Sequence, residues 1–257
     1  WRINMGLLEG RVAIVTAAAG AGIGQAVARR FAEEGAQVVL TDAHARRVQE
    51  VAEAMSKDFG REFVGLEVDV TNVDHVQGMV RTALDRHGQI DILLNNAGIN
   101  RLEPVWEMSD ETWNLVIGVN LTGTFHCTRA VLPHMIERKK GAVVSLSSTA
   151  GWIGSDEGEA HYCAAKAGIQ GFTRAVAAEV GRYGIRINAI APGLIYNPFL
   201  ERIYPPEFFQ RIAARTPLGR VGEPPDIASL ATFLASDQSS YITGEIFCIS
   251  GGMYMKA

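Results

Sequence analysis

This sequence predicts an α/β fold: a doubly wound, parallel, seven-stranded sheet with helices on both faces. Three observations carry that prediction. Short β-branched runs alternate with long amphipathic ones along the whole chain. Most of the short runs are apolar throughout, as parallel strands buried on both faces require. The first of them runs into a knot of small residues, "TAAAGAGIG" (Thr16 to Gly24), and a helical pattern starts at once.

The elements follow in order. Val12–Thr16 is an apolar strand closed by threonine, and Ile23–Glu34 is the helix after it. Strand Gln37–Thr41 precedes helix His44–Phe59, and strand Phe63–Glu67 precedes helix Val73–His87. Strand Ile90–Asn95 leads to a long helical pattern over Asp110–Arg138. Ser109 before "DETW" has the chemistry of an N-cap, and Pro133 is expected to kink or end the helix. Strand Ala142–Ser147 leads to helix Ala160–Arg182. Strand Arg186–Ile190, helix Pro225–Ala235 and strand Ile246–Ile249 close the sheet. Parallel strands joined this way use right-handed crossovers, which place a ligand at the carboxyl ends of the strands.

One segment breaks the rhythm. Asn197–Glu223 is rich in aromatics and prolines and reads as an irregular flap over the site. No linker divides the chain, so residues 5–257 read as a single Rossmann-type domain, with "WRIN" (residues 1–4) as upstream sequence.

Composition narrows the function. The 257 residues carry a net charge of -4, which disfavours nucleic acid as a partner. Cys127, Cys163 and Cys248 are odd in number and far apart, reading as reduced cytoplasmic thiols. The histidines and cysteines show no metal spacing, and no apolar run approaches the ~20 residues of a membrane span.

The glycine turn places amide donors and a helix N-terminus where a pyrophosphate could lie, with Gly20, Gly22 and Gly24 letting backbone come close. Alone it does not choose between a phosphate cradle and a merely tight turn. Asp42 ends the second strand, where a carboxylate can accept from ribose hydroxyls. Three more pieces add chemistry: "NNAG" (Asn95 to Gly98), "SLSS" (Ser145 to Ser148) and "YCAAK" (Tyr162 to Lys166). A Tyr and a Lys at i and i+4 share one helix face.

With these motifs, with Asp69-Val70 after the third strand, Asn120 in the long helix and Pro192-Gly193, the chain resembles the short-chain dehydrogenase/reductase family from Leu8 to Tyr254. The resemblance implies a catalytic set of Asn120, Ser148, Tyr162 and Lys166. Tyr162 would be the general acid/base, its phenol lowered by about three units from ~10 to act near neutral pH. Lys166 would supply part of that lowering, with the oxidised nicotinamide supplying more, and would hold a ribose; Ser148 would bind the substrate oxygen, and Asn120 would hold a relay water. The resemblance further implies NAD contacts from Gly20, Gly22, Ile23, Gly24, Asp42, Asp69, Val70, Asn96, Ala97, Gly98, Tyr162, Lys166, Pro192, Gly193, Ile195 and Asn197. Ser148, Trp152, His161, Tyr196 and Phe199 are the expected substrate pocket. A homotetramer or homodimer is expected through the Asp110–Arg138 and Tyr162 helices.

The turn departs from the family's T-G-x-x-x-G-x-G. It is one residue longer, and Ala17 stands where the first glycine is expected, so the extra residue should bulge at Ala19-Gly20-Ala21. The expected activity is NAD(H)-dependent interconversion of a secondary alcohol and a ketone, with a hydroxyacyl-CoA thioester among the candidate substrates. An NADPH-dependent 3-oxoacyl-carrier-protein reductase and a polyol, steroid or terpenoid alcohol dehydrogenase stay open on sequence alone. A dinucleotide sensor would show a broken Ser-Tyr-Lys set.

Overall fold

The computed structural model describes residues 6–198, 200–202 and 204–255. Its strands are β1 (Val12–Val15), β2 (Gln37–Asp42), β3 (Val64–Glu67), β4 (Ile92–Asn95), β5 (Gly141–Leu146), β6 (Ile185–Pro192) and β7 (Ile246–Ile249). All pair in parallel in one sheet of order β3-β2-β1-β4-β5-β6-β7. The chain runs outward through β2 and β3 and then returns to lay β4 on the other side of β1. The crevice between the carboxyl ends of β1 and β4 is therefore the switch point.

The helices are α1 (Ile23–Glu33), α2 (Ala45–Phe59), α3 (Val73–His87), α4 (Asp110–Ile117), α5 (Gly123–Arg138), α6 (Ala160–Val180), α7 (Pro206–Arg215) and α8 (Pro224–Ala235). Strand alternation sorts them into two layers. Ala13 and Val15 of β1 face α1, α2 and α8, while Ile14 faces α3, α5 and α6. Phe31 of α1 is fully buried in the first layer. Its truncation to alanine would cost about 3–5 kcal/mol. Ser109 caps α4 by accepting from the Thr112 amide at 3.0 Å.

Three expectations are corrected. The long helix over 110–138 is interrupted by a π-helical turn, Gly118–Thr122, between α4 and α5. Within that turn Asn120 Nδ2 donates to the Val116 and Ile99 carbonyls at 2.9 and 2.8 Å, which holds the wider turn in place. Pro133 does not end α5, which continues to Arg138. Val131 and Met135 on either side are fully buried, and that packing outweighs the missing hydrogen bond. The flap is not irregular throughout. Pro206 opens the ten-residue α7, and Phe208, Phe209 and Ile212 give it an apolar side at helical spacing.

Candidate active site

The glycine turn is held from two strands. Ala18 N–H donates to the Thr41 carbonyl at 2.9 Å, and Ala19 N–H donates to Asp42 Oδ2 at 3.0 Å. Thr16 Oγ1 accepts from the amides of Asn96 and Ala97, at 2.9 and 3.0 Å. Asn96 Nδ2 returns bonds to the carbonyls of Thr16 and Ala17. Ala17 adopts φ +52°, so the extra residue is accommodated with an alanine in left-handed backbone. Its carbonyl then lies where a Cβ on Gly24 would stand 2.3 Å away, which is why position 24 must be glycine.

Gly20 and Gly22 serve otherwise. A Cβ on Gly20 would meet nothing within 4 Å, and one on Gly22 only the Asn197 Cβ at 3.9 Å. Their backbone borders open space at the start of α1, whose N-cap Gly22 supplies no side-chain cap. Ala18 and Ala19 are buried, while Gly20 and Ala21 are exposed. Open space, glycine backbone and uncapped helix amides form a cradle that fits a dinucleotide's phosphates.

The cradle opens into a cleft of about 1350 Å³ along the carboxyl ends of the strands. Every residue assigned to the cofactor on sequence lines it, from Gly20, Gly22, Ile23 and Gly24 through Asp69, Val70 and Ala97 to Ile195 and Asn197. Asn120, Ser148, Tyr162 and Lys166 line it too. Lys166 is buried and donates from Nζ to the Leu146 carbonyl at 2.8 Å, and Nζ lies 5.3 Å from the Tyr162 ring centroid. Ser148 lies near enough to the Tyr162 hydroxyl to favour its ionised form. Ser147 turns away, its hydroxyl donating to the Lys166 carbonyl at 2.9 Å.

The comparisons with known proteins fit this arrangement. The family described as enoyl-(acyl carrier protein) reductase, a branch of the short-chain dehydrogenases, matches residues 17–254. The chain belongs to the short-chain dehydrogenase/reductase family. It is an oxidoreductase, and the family's cofactor is a nicotinamide dinucleotide. The chain is 43% identical to the (2S)-[(R)-hydroxy(phenyl)methyl]succinyl-CoA dehydrogenase subunit BbsD of Thauera aromatica, over 97% of this chain and 99% of that one. It is 39% identical to the 3-oxoacyl-acyl-carrier-protein reductase FabG of Thermotoga maritima, over 96% and 98%. The crystal structure of gox2181 superposes with TM-score 0.91 at 36% identity, covering 96% of each chain.

In this short-chain dehydrogenase/reductase the charges are set by burial. Burial pushes the Tyr162 phenol up to about 12, Glu159 adds to the rise, and the neighbouring Ser148 side chain opposes it. Burial brings Lys166 down to about 7. The lowered phenol expected from the sequence is therefore not a property of the protein alone: here Tyr162 is held protonated. Burial raises the Asp42 carboxyl above its ordinary value, against the Ala19 amide and the Arg47 charge.

The substrate pocket differs most from expectation. Ser148 lines the cleft, but Trp152, His161 and Tyr196 do not, and Phe199 lies outside the described residues. His161 precedes Tyr162 by one residue, so α6 points it into the protein, where it is fully buried and burial favours its neutral form. Trp152 stacks on Tyr254 at 5.0 Å and thereby supports a cleft wall. Tyr196 donates to Glu201 at 2.5 Å and packs on Phe209, bracing the flap.

Sequence reasoning missed Glu159. It precedes α6 by one residue, and its Oε1 accepts from Asn100 Nδ2 and, at 3.4 Å, from the Tyr204 hydroxyl of the flap. Burial and the Glu159 charge raise the Tyr204 phenol as well. A carboxylate one turn before a candidate acid/base was the available signal.

Proposed function

We propose that this protein is an NAD(H)-dependent dehydrogenase/reductase that interconverts the hydroxyl and keto forms of an acyl thioester, a 3-hydroxyacyl-CoA or a cyclic hydroxyacyl-CoA. The observation that carries this reading is the convergence of Ser148, Tyr162 and Lys166 in a cleft that extends to Asp42. The thioester class is supported by the substrates named for the Thauera and Thermotoga relatives.

When bound, the nicotinamide dinucleotide supplies or accepts the hydride at the carbinol carbon. The cradle at Gly20 and Gly22 would hold its phosphates, and Lys166 a ribose hydroxyl. In the reductive direction Tyr162 gives its proton to the carbonyl oxygen, and Ser148 donates a hydrogen bond to the same oxygen. In the oxidative direction Tyr162 must first be a phenolate, which Lys166 beside its ring would favour while it carries its proton. Asn120 Oδ1 is buried without a partner among the described residues. A Cβ on Gly98 would lie 2.7 Å from that oxygen and 3.5 Å from Lys166 Nζ, so both groups converge on Gly98. A water there would join Lys166 to Asn120 as a proton relay.

Asp42 favours NAD, since its carboxylate would accept from the ribose hydroxyl and repel a phosphate in its place. One observation favours the alternative, an NADPH-dependent 3-oxoacyl-carrier-protein reductase: Arg47 lines the same end of the cleft. Asp42 is held in place by two backbone amides, of Ala19 and His44, whereas Arg47 is exposed, and we weigh the fixed charge more heavily.

Exposed Trp113, Leu115 and Phe125 on α4 and α5 support pairing of subunits as a dimer or tetramer. Free cysteines support a cytoplasmic setting. Among the described residues no helix is long and apolar enough to cross a membrane. The activity is tested by NAD reduction at alkaline pH against a panel of secondary alcohols and hydroxyacyl-CoA thioesters. The proposal expects the thioesters to give the highest kcat/KM; a preference for a polyol, steroid or terpenoid alcohol would overturn it.

A further inference from the structure

Helix α7 turns a stripe of four residues toward the cleft. Phe208, Arg211, Ile212 and Arg215 recur at i, i+3, i+4 and i+7, which is one helical stripe, and all four line the cleft. Phe209 faces back onto Tyr196, and Glu207, Gln210 and Ala214 are exposed on the outside. The stripe is half apolar and half cationic. No residue of α7 is fully buried, so Phe208 and Ile212 border the cleft and do not belong to the core.

The two arginines differ in their partners. Arg211 lies over the Phe208 ring at 5.4 Å and 3.5 Å from Glu157, which holds it in the stripe. Arg215 has no acidic partner among the described residues. An unneutralised guanidinium beside an apolar strip, in a chain of net charge -4, suits an anion attached to an apolar group.

We propose that this stripe seats the phosphate-bearing arm of a coenzyme-A-type thioester, with Arg211 and Arg215 on phosphate oxygens and Phe208 and Ile212 against the chain. The proposal rests on the thioester reading given above. A phosphate fits better than a carboxylate on the acyl group. The acyl group would lie beside Tyr162, where Glu159 would repel a second carboxylate, whereas the Arg211 side chain is 58% exposed and stands at the rim, where a long arm leaves.

Three thioesters of one 3-hydroxyacyl group test this: the CoA ester, the 4′-phosphopantetheine ester and the N-acetylcysteamine ester, which has no phosphate. In Arg215→Gln the expected loss of kcat/KM on the CoA ester is about tenfold greater than on the N-acetylcysteamine ester, and it appears in KM. Arg211→Gln should act in the same direction. A loss shared by the phosphopantetheine ester assigns the contact to the pantetheine phosphate; a loss confined to CoA assigns it to the nucleotide end, and either supports the proposal. Equal losses on all three esters, or none, would overturn it. The wild type separates the two readings: if it turns over no thioester but oxidises a plain alcohol, the thioester reading itself has failed.

Discussion

Asp42 Oδ2 accepts a hydrogen bond from the Ala19 amide at 3.0 Å, tying the end of β2 to the lengthened glycine turn. One carboxylate thus both fixes the glycine turn and lines the cleft, at the end where the proposed dinucleotide would place its adenosine. Its removal would disturb the turn as well as the charge, so the informative variant is Asp42→Asn, which keeps an acceptor oxygen. A phosphate near a carboxylate at about 4 Å repels by about 1 kcal/mol in water and about 4 at an effective dielectric of 20, per pair of unit charges. Since about 1.4 kcal/mol is tenfold, the wild type should favour NAD over NADP by at least about tenfold in kcat/KM. Asp42→Asn should lose most of that preference. An unchanged ratio in the variant would remove Asp42 from cofactor choice.

Ala17 at φ +52° predicts a gain from glycine. Relief of left-handed strain, less the entropy glycine adds to the unfolded chain, should stabilise Ala17→Gly by about 0.5–1 kcal/mol. The readout is a higher urea midpoint at unchanged slope. Gly24→Ala should do the reverse and weaken dinucleotide binding, because its Cβ meets the Ala17 carbonyl at 2.3 Å. An Ala17→Gly protein less stable than the wild type would contradict this account of the turn.

Glu159 should govern the pH dependence of oxidation. Its charge adds to the rise of the Tyr162 phenol, so Glu159→Gln should move the alkaline rise in oxidation rate to lower pH. Glutamine keeps an acceptor for Asn100 and Tyr204, so the flap contacts survive. A pH–rate profile superimposable on that of the wild type would show that Glu159 does not act on Tyr162.

Lys166 should tie folding stability to pH. Its folded pKa of about 7 lies below the ordinary 10.5. Below pH about 7 both folded and unfolded forms are protonated and the burial penalty is complete. As pH rises toward 10.5 the folded form carries fewer protons than the unfolded one, and stability rises. In the absence of dinucleotide, the stability of the wild type relative to Lys166→Met should therefore increase across that window. A difference independent of pH would mean that Lys166 stays charged in the fold.

Much of this was legible in the sequence, and the reasons are local. Strand β7 and helix α3 fall where periodicity puts them, because apolar and amphipathic runs are short-range signals. The cleft-lining side of α6 follows from the i, i+4 spacing of Tyr162 and Lys166. The π-helical turn at Asn120 was not legible, since it depends on the Ile99 carbonyl, 21 residues away. The orientation of His161 was readable in principle from helix geometry, yet proximity in sequence to Tyr162 suggested the pocket. Trp152 was misplaced because its stacking partner Tyr254 comes from the far end of the chain. The phenol's pKa depends on burial, which no motif reports.

The central claim, that Tyr162 transfers the proton in oxidation of a hydroxyacyl thioester by NAD, is tested most directly by one comparison. Initial rates of NAD reduction with a 3-hydroxyacyl-CoA are measured for the wild type and for Tyr162→Phe, with NADH binding followed by fluorescence in both. The account predicts turnover by the wild type, a loss of about 10²–10⁴-fold in the variant, and nearly unchanged NADH affinity. A variant retaining more than about a tenth of the wild-type rate would contradict it, since a general acid/base contributes at least about a hundredfold.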